Sequence, residues 1–183
     1  LDSDSDDGGA IDGKEINDDL TDPLDPNDDI AYVSLPYQFI DGDNYEWNIQ
    51  SDGTMTSIGL DTGLKVLLNG VALPATNLEA YKRGRELELE IEDLNVARKI
   101  YVPSTDAFVR YLDIYSNSSS EKVQLRVRVE SDLHSNSYTG VVTTSSGDQV
   151  FSKSDDFVVT NGEYGFPVLT HLLSGADASL EPV

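Results

Sequence analysis

The chain has 183 residues, 34 of them acidic and 12 basic, for a formal charge of −22. A field of that sign repels nucleic-acid phosphates and anionic lipid, and the absence of cysteine excludes disulfides, thiolate metal centres and cysteine nucleophiles. With two histidines an imidazole-rich metal centre is not expected, and no apolar run approaches the ~18 residues of a membrane-spanning helix.

Charge is distributed unevenly. Residues 1–29 hold twelve acids and one base, Lys14, for a net −11, and residues 30–183 carry the other −11. A segment so acidic and so poor in apolar side chains cannot build a core, so it either stays a solvated linker or gathers around a cation. The spacing favours the cation. From Asp4 to Glu15 the chain matches the twelve-residue calcium loop, with carboxylates at the first (Asp4), third (Asp6), ninth (Asp12) and twelfth (Glu15) places. Gly9 stands at the sixth place, where the chain must turn, and Ile11 at the apolar eighth. Asp4, Asp6, Asp12, a bidentate Glu15 and the carbonyl of Ala10 are the expected ligands of Ca2+, with water completing the shell. Gly8 at the fifth place leaves one vertex without a carboxylate. A helical turn is expected after Gly13, and Pro23 and Pro26 prevent any long helix beyond it.

The loop continues into Asp12-Gly13-Lys14-Glu15 and Thr21-Asp22-Pro23-Leu24-Asp25-Pro26. The stretch Asp2 to Asp29 resembles a bacterial thrombospondin type 3 repeat, whose pattern is an Asp-x-Asp loop, Asp-Gly-x-Glu, then Thr-Asp-Pro-Leu-Asn/Asp-Pro. The resemblance implies calcium binding in an extracellular or cell-surface setting, as a stiff connector between modules, and adds Asp2, Asp22, Asp25 and Asp28 as second-tier ligands. It covers residues 2–29 alone.

From Ala31 onward the pattern has period two. Strands are predicted at Ala31–Val33, Tyr37–Ile40, Tyr45–Ile49, Leu64–Leu68, Glu86–Glu92, Val96–Val102, Phe108–Tyr115, Val123–Glu130, Ser137–Thr144, Gln149–Ser152, Phe157–Thr160 and Val168–Leu173, with a short helix near Leu78–Lys82. Turn pairs such as Asp52-Gly53, Asn69-Gly70 and Ser146-Gly147 separate them. The alternation in Glu86–Glu92 and Val123–Glu130 predicts Leu87, Leu89, Ile91, Leu125, Val127 and Val129 as inward-facing, and it places Arg126 and Arg128 opposite the glutamate row. The expected fold is all-β, an antiparallel β-sandwich over residues 30–183 with a calcium-binding arm over residues 1–29. The start Leu1-Asp2-Ser3-Asp4 and the end Leu180-Glu181-Pro182-Val183 read as cuts within a longer protein, with the sandwich continuing past residue 183.

The sandwich shows no nucleophile elbow, zincin helix or phosphate-binding loop. His134 and His171 lie in no catalytic motif, so no enzymatic activity is expected. Trp47, Tyr111 and Tyr115 lie on strands, where aromatic side chains serve as core or stack on sugar rings. In Lys82-Arg83-Gly84-Arg85, Arg83 and Arg85 either balance neighbouring glutamates or hold a carboxylated or sulfated glycan. The segments Arg98–Pro103, Arg110–Asn117 and Val123–Val129 resemble bacterial supersandwich modules, including galactose-mutarotase-like folds and accessory domains of carbohydrate-active enzymes, but no catalytic residue of those families matches here. The sequence therefore supports a non-catalytic calcium-binding structural or adhesive module, its partners being neighbouring modules of a longer chain. The alternative is an accessory polysaccharide-binding module.

Overall fold

The computed structural model describes residues 3–7, 10–26, 28–73, 79–91, 95–133, 139–162 and 167–172, with the side chains of residues 18, 19 and 79 left aside. Among these the fold is all-β and its sheets are antiparallel. The strands are β1 (Ile30–Val33), β2 (Tyr37–Ile40), β3 (Glu46–Ile49), β4 (Met55–Ser57), β5 (Leu60–Leu68), β6 (Val71–Ala72) and β7 (Glu79–Arg83). They continue as β8 (Glu86–Ile91), β9 (Val96–Tyr101), β10 (Arg110–Tyr115), β11 (Val127–Leu133), β12 (Gly140–Thr144), β13 (Phe157–Asn161) and β14 (Leu169–Leu172). A five-stranded sheet has the order β1-β7-β8-β9-β10, a second runs β11-β5-β4-β3-β2 with β6 paired to β5, and a third is β12-β13-β14.

The chain divides into two compact units, residues 1–55 with 64–130, and residues 56–63 with 131–183. The acidic arm belongs to the first. There the alternation of β8 has its expected consequence, with Leu87, Leu89 and Ile91 buried. The ladder sets Leu87 beside Ile100 and Ile91 beside Val96, so one face of the five-stranded sheet is apolar. Val66, Leu68 and Leu73 meet Ile91 and Val96 in one cluster, against which Tyr115 and Val129 pack. Apolar faces from two sheets thus close over one another, as in a sandwich.

A charged side chain lies inside this core. Arg98 of β9 is almost wholly buried, and four of its five N–H donors are engaged. Nε and Nη2 donate to the carboxylate of Asp113 at 2.6 and 3.0 Å, while Nη1 donates to the carbonyls of Gly53 and Leu64, each at 2.9 Å. The cation also lies 4.8 Å from the ring centre of Tyr111. Burying it is tolerable because the charge meets a carboxylate and four of the five N–H groups find acceptors.

Several expectations need correction. Leu125 and Val127 do not face inward: they are 38% and 41% exposed, and Val129 is half-buried. The strand there begins only at Val127, and of this row Val129 alone packs against the cluster of Val66, Leu68 and Leu73. Arg126 and Arg128 do not neutralise the glutamate row. Arg128 pairs with Glu130 of its own strand at 2.8 Å, whereas Lys99 reaches Glu88 at 2.8 Å and Glu86 at 3.5 Å. Residues 79–82 belong to β7 rather than a helix, and residues 149–152 form no strand. The strands β4, β6 and β7 were not anticipated, being short or polar in sequence. Asn69-Gly70 does form the predicted two-residue turn, joining β5 to β6 with φ of 52° and 86°.

In the second unit, β12 to β14 form the third sheet. His171 on β14 lies beside Val158 in the ladder and shares a 2.9 Å hydrogen bond between Nε2 and Thr160 Oγ1. Burial lowers its pKa. His134 lies outside the described residues. The loop between β12 and β13 is braced by Asp155, which accepts from the Ser146 and Ser152 amides and the Ser145 and Ser152 hydroxyls. Its burial opposes ionisation, but the hydrogen bonds from Ser152 and Ser146 prevail and hold it far below the usual carboxylate range.

Candidate metal centre

The arm folds through a short helical segment, Asp12–Lys14, continued by a wider-wound turn at Glu15–Asp19. Leu20, left-handed at φ 56°, ends it, and the Thr21 amide closes back on the Glu15 carbonyl at 3.0 Å. Two further turns follow, from the Asp25 amide to the Asp22 carbonyl and from the Asp28 amide to the Asp25 carbonyl. Their effect is to return Asp28 and Asp29 to the neighbourhood of Glu15.

Two carboxylate groups result. Asp4, Asp6 and Asp29 form one, and Glu15, Asp28 and Asp29 the other, each offering oxygens that lie within 4.8 Å of one another. Two oxygens on opposite sides of one calcium ion, each about 2.4 Å from it, would be separated by about that span. Proximity among acids does not by itself make a site, and burial supplies the second observation. Glu15 is fully buried, and neither of its carboxylate oxygens receives a hydrogen bond. Asp29 is nearly as buried, its Oδ2 accepting from the Ala10 amide at 2.7 Å and its Oδ1 from no donor. Asp28 repeats the pattern, with Oδ2 taken by the Asp22 amide at 3.0 Å and Oδ1 buried without a donor. Burial and then the charges of Asp29, Asp6 and Asp12 push the pKa of Glu15 up to about 7. Buried carboxylates are ordinarily satisfied by donors or cations, because stripping water from an ion is costly. The donor set is all hard oxygen, suited to Ca2+ and not to a soft metal.

The expected ligands are thus partly gathered. Asp4, Asp6 and Glu15 lie in the two groups, and Asp28 moves from a second-tier position to a central one. Asp12 is instead held by Ser5, whose amide and hydroxyl each donate to it at 2.7 Å, and these bonds lower its pKa. It shapes the loop that carries Asp4 and Asp6. Ala10 contributes its amide to Asp29. Asp22 accepts from the Leu24 amide at 3.1 Å, and neither it nor Asp25 joins a group. Asp2 lies outside the described residues. Asp29 is the residue that sequence reading missed. It lies fourteen positions beyond Glu15, and only the run Asn27-Asp28-Asp29 hinted at it.

The expected glycan contacts do not share an open face. Trp47 is 7% exposed and donates its indole N–H to Asp41 at 2.8 Å. The hydroxyls of Tyr111 and Tyr115 are buried without partners, and burial raises both pKa values, that of Tyr115 to about 12. Arg85 donates to the carbonyls of Val102, Ile40 and Pro103 and lies over the ring of Phe39. Arg83 is exposed at the end of β7. Tyr32, exposed, and Tyr81 and Tyr101, half-buried, lie instead on the outer side of the five-stranded sheet. Tyr32 stands opposite Tyr81, ring centres 4.6 Å apart, and Tyr101 contacts Phe108 and Arg110.

Comparison of the chain with protein-family models, curated proteins and solved structures returns no match.

Proposed function

We propose that the arm binds calcium, and that the chain is a non-catalytic, calcium-stiffened structural or adhesive module of a larger secreted or cell-surface protein. The observation that carries this reading is Glu15, a fully buried carboxylate with neither oxygen hydrogen-bonded, set among Asp28 and Asp29. A divalent cation would supply the partner this group lacks within the chain. Asp29 belongs to both carboxylate groups, so it would bridge two ions, one held with Asp4 and Asp6 and the other with Glu15 and Asp28. The resemblance to a thrombospondin type 3 repeat agrees with this assignment and with an extracellular setting, where calcium is roughly millimolar and a site of moderate affinity stays filled. Neighbouring modules are then the natural partners, because an arm folded by calcium joins what lies on either side of it stiffly.

Calorimetric titration of the chelator-stripped chain tests the proposal. Binding heat at or below millimolar calcium is expected, reduced strongly by Glu15→Gln. No heat in the parent chain overturns the reading.

A second reading, polysaccharide binding, rests on a different observation. Tyr32 is 67% exposed and lies against Tyr81 on an open sheet face, where an aromatic ring can stack on a sugar. A glycan array comparing the parent with Tyr32→Ala tests it. A blank array, or binding indifferent to the substitution, removes this face.

A further inference from the structure

We infer that the cation is also the clasp that keeps β1 on the edge of the five-stranded sheet. This rests on the calcium reading above and adds a mechanical link through Asp29.

β1 has little of its own to hold it. It is an edge strand of four residues, paired on one side only, to β7, with Ile30 opposite Arg83 and Val33 opposite Ala80. None of its side chains is fully buried. By contrast β8, two places inward, is paired on both sides and buries Leu87, Leu89 and Ile91. Short edge pairings without a buried side chain belong to the least stable parts of a fold.

What precedes β1 is anchored more firmly than β1 itself. Asp29, adjacent to Ile30, is almost fully buried, grips the Ala10 amide and belongs to both carboxylate groups. With cations bound, residue 29 is fixed from three parts of the arm, by Asp4 and Asp6, by Glu15, and by Asp28. The first residue of β1 then lies one peptide bond from a rigid point. Without cations the same carboxylates repel one another across a few ångströms with little water to screen them. The repulsion is relieved by moving residues 28 and 29 away, and β1 must follow because it is covalently attached. Its departure bares the outer edge of β7, a row of unpaired amides and carbonyls able to accept another strand.

Hydrogen–deuterium exchange of the full chain, in millimolar calcium and in excess chelator, distinguishes the possibilities. Chelation is expected to raise exchange about tenfold or more in residues 30–33 and 79–83, while residues 87–91 and 96–101 keep their protection. If residues 10–28 loosen on chelation but residues 30–33 do not, the clasp is refuted and calcium binding stands. If neither exchange nor heat responds to calcium, both readings fail. A chain with Gly-Ser-Gly inserted between Asp29 and Ile30 supplies a second measurement. It should bind calcium with the parent's heat while exchange in residues 30–33 no longer depends on it, and retained dependence would overturn the mechanical link.

Discussion

Glu15 in the arm and Arg98 in the sandwich are both charged and both almost completely buried, yet their surroundings are opposite. Arg98 finds its counter-ion, Asp113, on the next strand and gives its remaining donors to two backbone carbonyls. Glu15 finds other acids. A buried ion has to be compensated, and the sandwich does this from within the chain, whereas under the calcium proposal the arm's compensation comes from a cation in solution. On that proposal the difference separates a region whose fold is self-sufficient from one whose fold is conditional on its solution.

The sharpest way to break this contrast is to remove each charge in turn. Arg98→Ala leaves Asp113 and two carbonyls without their donor, and should destabilise the first unit by about 3–5 kcal/mol, read by chemical denaturation. The loss should be the same with or without calcium. A change below about 1 kcal/mol would mean that water replaces the guanidinium freely. Glu15→Gln should act with opposite signs in the two solutions. In calcium it removes a ligand and loosens the arm; in chelator it removes a repelling charge and tightens it. Limited proteolysis of residues 10–28 reads both, and a variant that loosens the arm in both solutions would show that the carboxylate serves the fold without a cation.

pH sharpens the comparison further, because the arm and the third sheet should respond in opposite directions. Glu15 has its pKa raised from 4.5 to about 7 in the cation-free fold, so the folded arm binds a proton that the unfolded arm has released. Its contribution to stability is present below about 4.5 and is lost as pH rises through about 7. In chelator, acidification across that window should therefore slow exchange in the arm. His171 has its pKa lowered from 6.5, so the folded state favours the neutral ring. Its contribution is present above 6.5 and is lost as pH falls toward the lowered value, so, with exchange in both regions corrected for the intrinsic pH dependence of amide exchange, protection should fall in β13 and β14 over the same acidification while it rises in the arm. Parallel responses in the two regions would contradict the assignment. The smallest effect belongs to Lys99, whose partly exposed pairs with Glu86 and Glu88 should be worth no more than about 1 kcal/mol on Lys99→Ala, diminishing with added salt.

Where one strand's own pattern decides its environment, the sequence is legible. Glu86–Glu92 alternates without interruption, and its aliphatics are buried as the pattern requires. Val123–Glu130 alternates equally well, yet Leu125 and Val127 are exposed. Alternation specifies that two faces differ; whether a second layer covers the apolar one depends on position within the sheet. Ile91 of β8 meets Val66, Leu68 and Leu73, whereas of the apolar row of β11 only Val129 packs against that cluster. The aromatics show the same limit. Trp47, Tyr111 and Tyr115 are equally suited to core and to sugar stacking in sequence, and only the closure of the sheets puts the indole on Asp41 and the two hydroxyls in the interior.

The arm divides along the same line. Its charge, its glycines and the spacing from Asp4 to Glu15 are local, and of the ligands they suggested Asp4, Asp6 and Glu15 lie in the two carboxylate groups. Asp29 was invisible because the chain returns to Glu15 only through the turns between Thr21 and Asp28, and Asp12, bonded at close range by Ser5, lies outside both groups. Local spacing determines which groups a single loop can offer. Which of them meet, and which are withdrawn from water without a partner, depends on contacts between residues far apart in the chain, and burial of that kind exists only in the folded molecule.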